Sequence, residues 1–205
     1  MSRENDLKEI VNSLKCLIVF ENKTWLLYQN LAERIDSALI KSLLLHISLD
    51  SQKHSTVLKG IAINMPKTNW TPADLPKKMG ETWRSMDDFQ VELSDVEIIP
   101  EEALVELLDQ LTSLETQLAE EYDLLVQINT LELFSEQLSK IYRINLETLK
   151  IILLEIMHDE EYHKEILNII ANALEKDKVI EFVDNTPKVR FRNPDGWNRP
   201  QQITV

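Results

Sequence analysis

The chain has 205 residues, of which 43% are hydrophobic, and a formal net charge of -13 from 22 basic and 35 acidic residues. This length suits a single domain with one substantial core and is short for two domains. The acidic balance argues against a general nucleic-acid binder, which needs clustered Lys and Arg to neutralise phosphates.

The residue counts also bound the fold and the compartment. Three glycines and seven prolines, beside abundant Leu, Glu, Lys and Ile, indicate an all-α protein. The single cysteine, Cys16, excludes an internal disulfide and a four-cysteine metal module, and we expect it to be a buried apolar residue. Since no apolar run approaches the ~18 residues of a membrane span, we predict a cytoplasmic protein without membrane contact.

The first two helices are predicted to form a hairpin. Apolar residues at steps of three and four indicate a helix from about Ser2 to Ile35, and Glu21 lies inside this apolar stripe. A carboxylate in such a position is costly unless it has a partner. Asp36 and Ser37 offer a cap for a second helix that ends at about Asn64, and the short turn makes the two helices antiparallel.

A long connection follows at residues 65–100. The apolar residues here do not follow a helical period, and the segment is interrupted by Pro66, Pro72, Pro76, Gly80 and Pro100. Its length is sufficient to return along the whole second helix. Trp70, Trp83 and Phe89 are predicted to anchor this connection to the helices.

The third helix is predicted to open after Pro100 and to bury a second carboxylate. Glu115 and Tyr122 fall on its apolar stripe, in the order and spacing of Glu21 and Tyr28 on the first helix. Glu121 lies on a rival stripe, but the tyrosine spacing favours Glu115.

The fourth helix is predicted to begin at Asn145 as its cap and to end at about Lys176. Residues 129–144 before it are read as extra helical turns and a loop. The tail 177–205 is expected to form a short strand near Val179 or to wrap a partner subunit, which would make the protein a homodimer.

Two copies of a helix pair are detectable in the sequence. A shift of 109 positions superimposes Asp50 and His54 on Asp159 and His163, and a shift of 94 superimposes the first carboxylate and tyrosine on the second. The surrounding apolar residues follow the same two shifts. Each copy therefore supplies a carboxylate from its first helix and a histidine from its second.

This repeat predicts a metal site. Glu160 and His163 are three residues apart, so on a helix they converge on one ion. The predicted ligands, at one level of the core, are Glu21, His54, Glu115, Glu160 and His163. Imidazole and carboxylate ligands suit iron, manganese or zinc. His46 and His158 lack the repeat and are expected to be surface residues.

At these residues the chain resembles the ferritin-like di-iron carboxylate family, and within it the rubrerythrin-like branch. The resemblance covers about residues 7–63 and 101–176. It implies a four-helix bundle at residues 1–176, built from two antiparallel helix pairs joined by the long crossover, with two iron ions between the helices. Ser51 departs from the pattern, because the family has a bridging Glu there.

The resemblance also suggests roles around the ligands. Asp50 would orient His163, and Asp159 would orient His54. Alternatively, Asp50 turns inward and replaces the missing Glu. Tyr28 and Tyr122 are expected to donate hydrogen bonds to the ligands or to act as radical traps; the simpler alternative is that they are ordinary core tyrosines.

Three functional hypotheses follow. The family resemblance implies an oxidoreductase that reduces dioxygen or peroxide and, lacking a cysteine cluster, takes electrons from an external donor. Its catalytic residues are not identified by the sequence. The alternative is a non-catalytic structural or binding protein with a degenerate site for one ion or none. A subunit of an iron-storage cage fits less well, because the proline-rich connection and the tail depart from that compact plan.

Overall fold

The computed structural model describes residues 3–63, 65–94, 96–127 and 145–180, with the isolated positions 132, 135, 136 and 139. This part of the chain contains helices and no strand, which confirms the all-α prediction. The helices are α1 Arg3–Glu33, α2 Ala38–Ala62, α3 Leu75–Ser94, α4 Glu101–Val126 and α5 Leu146–Ile180, with a 3₁₀ turn at Pro72–Asp74. None of the described helices has the length and apolarity needed to cross a membrane.

Local capping explains where two helices begin. The Ser37 hydroxyl accepts a hydrogen bond from the backbone N–H of Ile40 at 3.5 Å, as expected for the start of α2. The Asn145 side chain accepts one from the N–H of Thr148 at 2.8 Å, which confirms the predicted cap of α5. Pro100 precedes α4, where its missing N–H costs nothing.

The helices α1 and α2 run antiparallel, side by side. The Ser48 hydroxyl donates to the carbonyl of Trp25 at 2.9 Å, and the Ser55 hydroxyl donates to that of Ile18 at 3.3 Å. Residue numbers therefore rise on one helix as they fall on the other. The helices α4 and α5 form a second packed pair, and α2 also contacts α5.

One apolar core joins the helices. Its fully buried members come from all four long helices and include Val11, Leu14, Phe20, Leu31, Leu44, Ile47, Leu58, Leu108, Leu111, Leu118, Leu149, Leu153 and Leu167. Cys16 is buried among them, as predicted. Burying this much apolar surface is the main stabilising contribution to such a domain.

The connection contains a helix that the sequence did not predict. Periodicity appeared to fail between residues 65 and 100, yet α3 occupies Leu75–Ser94 and packs against α1. Gly80, at φ 56° and ψ -120°, kinks α3, and a positive φ favours glycine. The kink at Gly80 and the prolines interrupt the spacing of the apolar residues, so the sequence shows no helical period there.

The aromatic residues of the connection contact the bundle. Phe89 is buried, and Trp70 and Trp83 pack partly buried against the core. The Lys23 ammonium lies 3.9 Å from the centre of the Trp83 ring and forms an ion pair with Asp87. These contacts hold α3 on the outer side of α1.

The connection also returns to the end of α1 before α4 begins. The N–H of Ile99 donates to the carbonyl of Arg34 at 3.0 Å, and the Arg34 guanidinium donates to the carbonyl of Val96 at 2.8 Å. The helix α2 begins near this end of α1 and ends at the opposite end of the bundle. The connection therefore travels back over a distance equal to the length of α2, as predicted.

The last predicted boundaries are only partly described. The helix α5 continues through Ile180, beyond the predicted end near Lys176, so Val179 is helical rather than extended. The rest of the predicted tail, residues 181–205, lies outside the described residues. So does most of the predicted insertion at residues 129–144.

Candidate metal centre

Five ligand-type side chains from four helices meet in the middle of the bundle. They are Glu21 of α1, His54 of α2, Glu115 of α4, and Glu160 and His163 of α5, and all five are fully buried. They form two triads. The ligand atoms of the first triad, Glu21, His54 and Glu160, lie within 4.8 Å of one another, and so do those of the second triad, Glu115, Glu160 and His163.

Glu160 lies between the two histidines and belongs to both triads. Its Oε1 is 2.9 Å from His54 Nδ1, and its Oε2 is 3.5 Å from His163 Nδ1. The same nitrogens face a further carboxylate, Glu21 Oε1 at 3.5 Å and Glu115 Oε2 at 3.2 Å. The imidazole rings are stacked with centroids 6.0 Å apart. Both Nδ1 atoms therefore point into one carboxylate-lined centre.

The outer ring nitrogens contact aspartates of the opposite half. His54 Nε2 lies 3.0 Å from Asp159 Oδ2, and His163 Nε2 lies 3.5 Å from Asp50 Oδ2. Asp50 thus lies outside the ring of His163 and does not turn inward in place of the missing Glu. A carboxylate on the outer nitrogen fixes the tautomer of a histidine whose other nitrogen binds a metal.

Two buried tyrosines contact the carboxylates across the halves. The Tyr28 hydroxyl donates to Glu115 Oε1, and the Tyr122 hydroxyl donates to Glu21 Oε1. Burial and the nearby carboxylates, Glu115 for Tyr28 and Glu21 for Tyr122, raise the pKa of both phenols well above its usual value, so the phenols remain hydrogen-bond donors. These crossed contacts make α1 antiparallel to α4, as the histidine contacts make α2 antiparallel to α5.

Ser51 is fully buried, and its hydroxyl has no hydrogen-bond partner among the described residues. It lies three residues before His54, as Glu160 lies three before His163. On α2, Ser51 therefore occupies the position at which a second carboxylate shared by the two triads would be expected.

The rival residues lie elsewhere. Glu121 is partly exposed, in contrast to the fully buried Glu115 on the same helix. His158 is exposed and His46 is half-exposed, as predicted for residues outside the repeat.

Several ligand-type atoms in the centre lack hydrogen-bond partners within the described part of the chain. They are Glu21 Oε2, His54 Nδ1 and both carboxylate oxygens of Glu160. His54 Nδ1 lies 2.9 Å from Glu160 Oε1, so a proton on that nitrogen could pair these two atoms, but Glu21 Oε2 and Glu160 Oε2 would still lack a partner among the described residues. A buried polar atom without a partner is unfavourable, because it has lost its contact with water. A metal ion coordinated by these lone pairs would satisfy them, so the residues fit a metal ion.

Comparison with protein-family models, with curated proteins and with solved structures found no match. The functional interpretation of the centre therefore rests on its own geometry and on the sequence repeat.

Protons offset part of the negative charge of the cluster when it holds no metal. Burial lowers the pKa of His54, but Glu160 and Glu21 outweigh it and raise that pKa to about 10. Burial likewise opposes the effect of Asp50, Glu115 and Glu160, which raise the pKa of His163 to about 12. Burial and repulsion from Glu21 and Glu115 raise the pKa of Glu160 to about 8. At neutral pH these raised pKa values keep protons on the cluster that a metal ion would displace.

One residue near the centre was missed by the sequence reasoning. Lys53 contacts both Asp50, at 2.7 Å, and Asp159, at 2.8 Å. The contact with Asp50 has a sequence signal, since a Lys three residues after an Asp on a helix lies beside it. The contact with Asp159 has no sequence signal. The position equivalent to Lys53 in the second copy of the repeat is Tyr162, so the repeat does not indicate a lysine contact between the two halves.

Proposed function

We propose that this chain is a ferritin-like metal-binding protein whose two triads hold up to two ions with Glu160 shared between them. One observation carries the proposal: fully buried carboxylate and imidazole atoms, several without a hydrogen-bond partner among the described residues, converge in two groups of three. Burying so many ionisable groups together is costly unless a cation compensates them.

The proposed arrangement is the up-down-down-up bundle of that family. Two antiparallel helix pairs, α1 with α2 and α4 with α5, are joined by a connection that returns along α2. The crossed tyrosine and aspartate contacts relate the two pairs by an approximate two-fold axis, as the two sequence shifts suggested.

Iron is the ion that we propose, with manganese or zinc as alternatives. Mixed imidazole and carboxylate ligands suit all three, and each triad offers one histidine and two carboxylates. The ligands of the first triad come from three helices and those of the second from two, and only the folded bundle brings them together. Binding should therefore also stabilise the fold.

We further propose an oxidoreductase activity toward dioxygen or peroxide. Two ferrous ions, when bound, would supply the electrons for such a reduction. The role of the protein is to orient the ligands: the aspartates hold the outer histidine nitrogens, and the tyrosines hold Glu21 and Glu115. The surrounding apolar core excludes water. The only cysteine, Cys16, is a single buried thiol, so an external electron donor is needed to restore the ferrous state.

Ser51 favours a second candidate function. Without a second shared carboxylate, the centre would bind only one ion tightly, or none, and the chain would be a structural or binding protein. The buried serine hydroxyl without a partner among the described residues is the observation behind this alternative.

Anaerobic titration of untagged protein with ferrous ion separates these proposals. We expect about two ions per chain, followed by oxygen or peroxide consumption when an electron donor is added. His163→Ala should lose at least one ion, whereas His158→Ala, which removes an exposed histidine from the same helix, should bind as the wild type does. Binding of one ion without turnover would favour the structural alternative, and no binding of iron, manganese or zinc would refute both metal-bound forms.

A further inference from the structure

Lys53 occupies a position that joins the two halves of the molecule outside the centre. Its ammonium is 2.7 Å from Asp50 Oδ1 on its own helix and 2.8 Å from Asp159 Oδ2 on α5. The side chain is half-exposed, so its tip lies at the surface over the two buried histidines.

The two aspartates connect Lys53 to both triads. Asp159 contacts His54 of the first triad, and Asp50 contacts His163 of the second. The contacts form one continuous path across the approximate two-fold axis: His54, Asp159, Lys53, Asp50 and His163. The same Asp159 oxygen, Oδ2, meets both the imidazole and the ammonium, so the positions of these two groups are linked through a single atom.

The repeat provides one cation for two carboxylates. Tyr162 stands where the second half would have its own lysine, and its half-exposed ring meets the edge of His46. Among the described residues, each aspartate would contact only histidines if Lys53 were absent, and no group would then join the two carboxylates. An isolated surface ion pair contributes little, but a cation that joins two oriented carboxylates belongs to a network.

We propose that Lys53 is a positioning residue that holds Asp50 and Asp159 against the two histidines and thereby couples the two triads. This inference rests on the proposed metal-binding function. The two sides are not equivalent, because Asp50 also has His46 Nε2 at 3.5 Å. Among the described residues, the Asp159 carboxylate contacts only Lys53 and His54, so loss of Lys53 should affect His54 more strongly.

The variant Lys53→Met removes the cation but keeps much of the apolar stem. Lys53→Arg keeps a cation that can still reach two carboxylates, and so it should rescue the effect. Lys59→Met is the matched control, since it removes the same charge from the same helix, where Lys59 donates to Asn22 and not to an aspartate.

The first measurement needs no metal. In the metal-free protein labelled with ¹⁵N, the Nε2–H groups of His54 and His163 are buried and face aspartates, so their NMR signals should exchange slowly with water. We expect both signals to exchange faster in Lys53→Met, that of His54 most, and to be retained in Lys53→Arg and Lys59→Met. Unchanged exchange in Lys53→Met would overturn the inference.

The second measurement is the anaerobic ferrous titration. Loss of the carboxylate that supports a ligating histidine typically weakens metal binding about 10- to 100-fold. Lys53 acts through these carboxylates, so we expect Lys53→Met to weaken binding by up to about this factor, and more at the first triad, which contains His54. Equal affinity of Lys53→Met and Lys59→Met would also overturn the inference. If the wild type binds no ion, the proposed function fails, and the NMR comparison alone decides the role of Lys53.

Discussion

Metal loading should release protons, and the number follows from the centre. A ligating histidine must be neutral and a ligating carboxylate ionised. The pKa values of Glu160, His54 and His163 are raised to about 8, about 10 and about 12. Ionised Glu160 contributes to the raised pKa values of both histidines, so the three groups titrate together. Filling both triads at pH 7 should therefore release about two to three protons per chain.

The same values fix the direction of the pH dependence. Protons compete with the ion, so binding must tighten as the pH rises. Between pH 6 and 8 the overall affinity should rise by about two to three powers of ten per pH unit, and less steeply above pH 8, where Glu160 is already ionised.

Calorimetric titration in two buffers of different ionisation enthalpy measures this release directly, because the difference in heat gives the number of protons. His158→Ala should release the same number as the wild type, since its imidazole is exposed and belongs to neither triad. A release near zero, or an affinity that stays flat between pH 6 and 8, would refute the assignment of these three groups as ligands.

Three further predictions concern stability and stoichiometry. Chelation should lower the melting temperature, and thermal scans should show a larger difference between metal-loaded and metal-free protein at pH 9 than at pH 6. The reason is that groups with raised pKa values stabilise the metal-free fold at low pH and lose that effect as the pH rises through about 8, the pKa of Glu160. Ser51→Glu should bind the second ferrous ion more tightly in anaerobic titrations, yet cost the metal-free protein several kcal/mol in urea unfolding; a destabilised variant without a gain in metal would contradict the two-ion interpretation. Elemental analysis should find one ion in Glu21→Gln and in Glu115→Gln but none in Glu160→Ala, and identical losses in all three would show that the triads are not separable.

The repeat and the apolar stripes were sufficient to predict which side chains meet. A carboxylate at a core position needs a partner, and Glu21 and Glu115 both occupy such positions in matching copies of one pattern. Because helical periodicity fixes the direction of each side chain within its helix, the inward direction of His54 and His163 was predictable as well. The crossing of Asp50 and Asp159 followed from the two-fold relation between the copies.

The features that were missed depend on packing between helices. The helix α3 was not predicted, because Gly80 and the prolines break its period, and its packing against α1 stabilises it in spite of them. The contact of Lys53 with Asp159 joins residues 106 positions apart and depends on the rotation of α2 relative to α5. No local pattern contains that rotation.

The crossed contacts have a consequence for how the centre assembles. Each tyrosine holds a carboxylate of the opposite half, and each aspartate holds a histidine of the opposite half. Two separate hairpins could complete these contacts only by meeting in solution, and they would come apart on dilution. The connection makes that encounter intramolecular, so the effective concentration of one half near the other stays the same at any protein concentration. A cell holding only a few copies of this chain would still contain fully assembled centres.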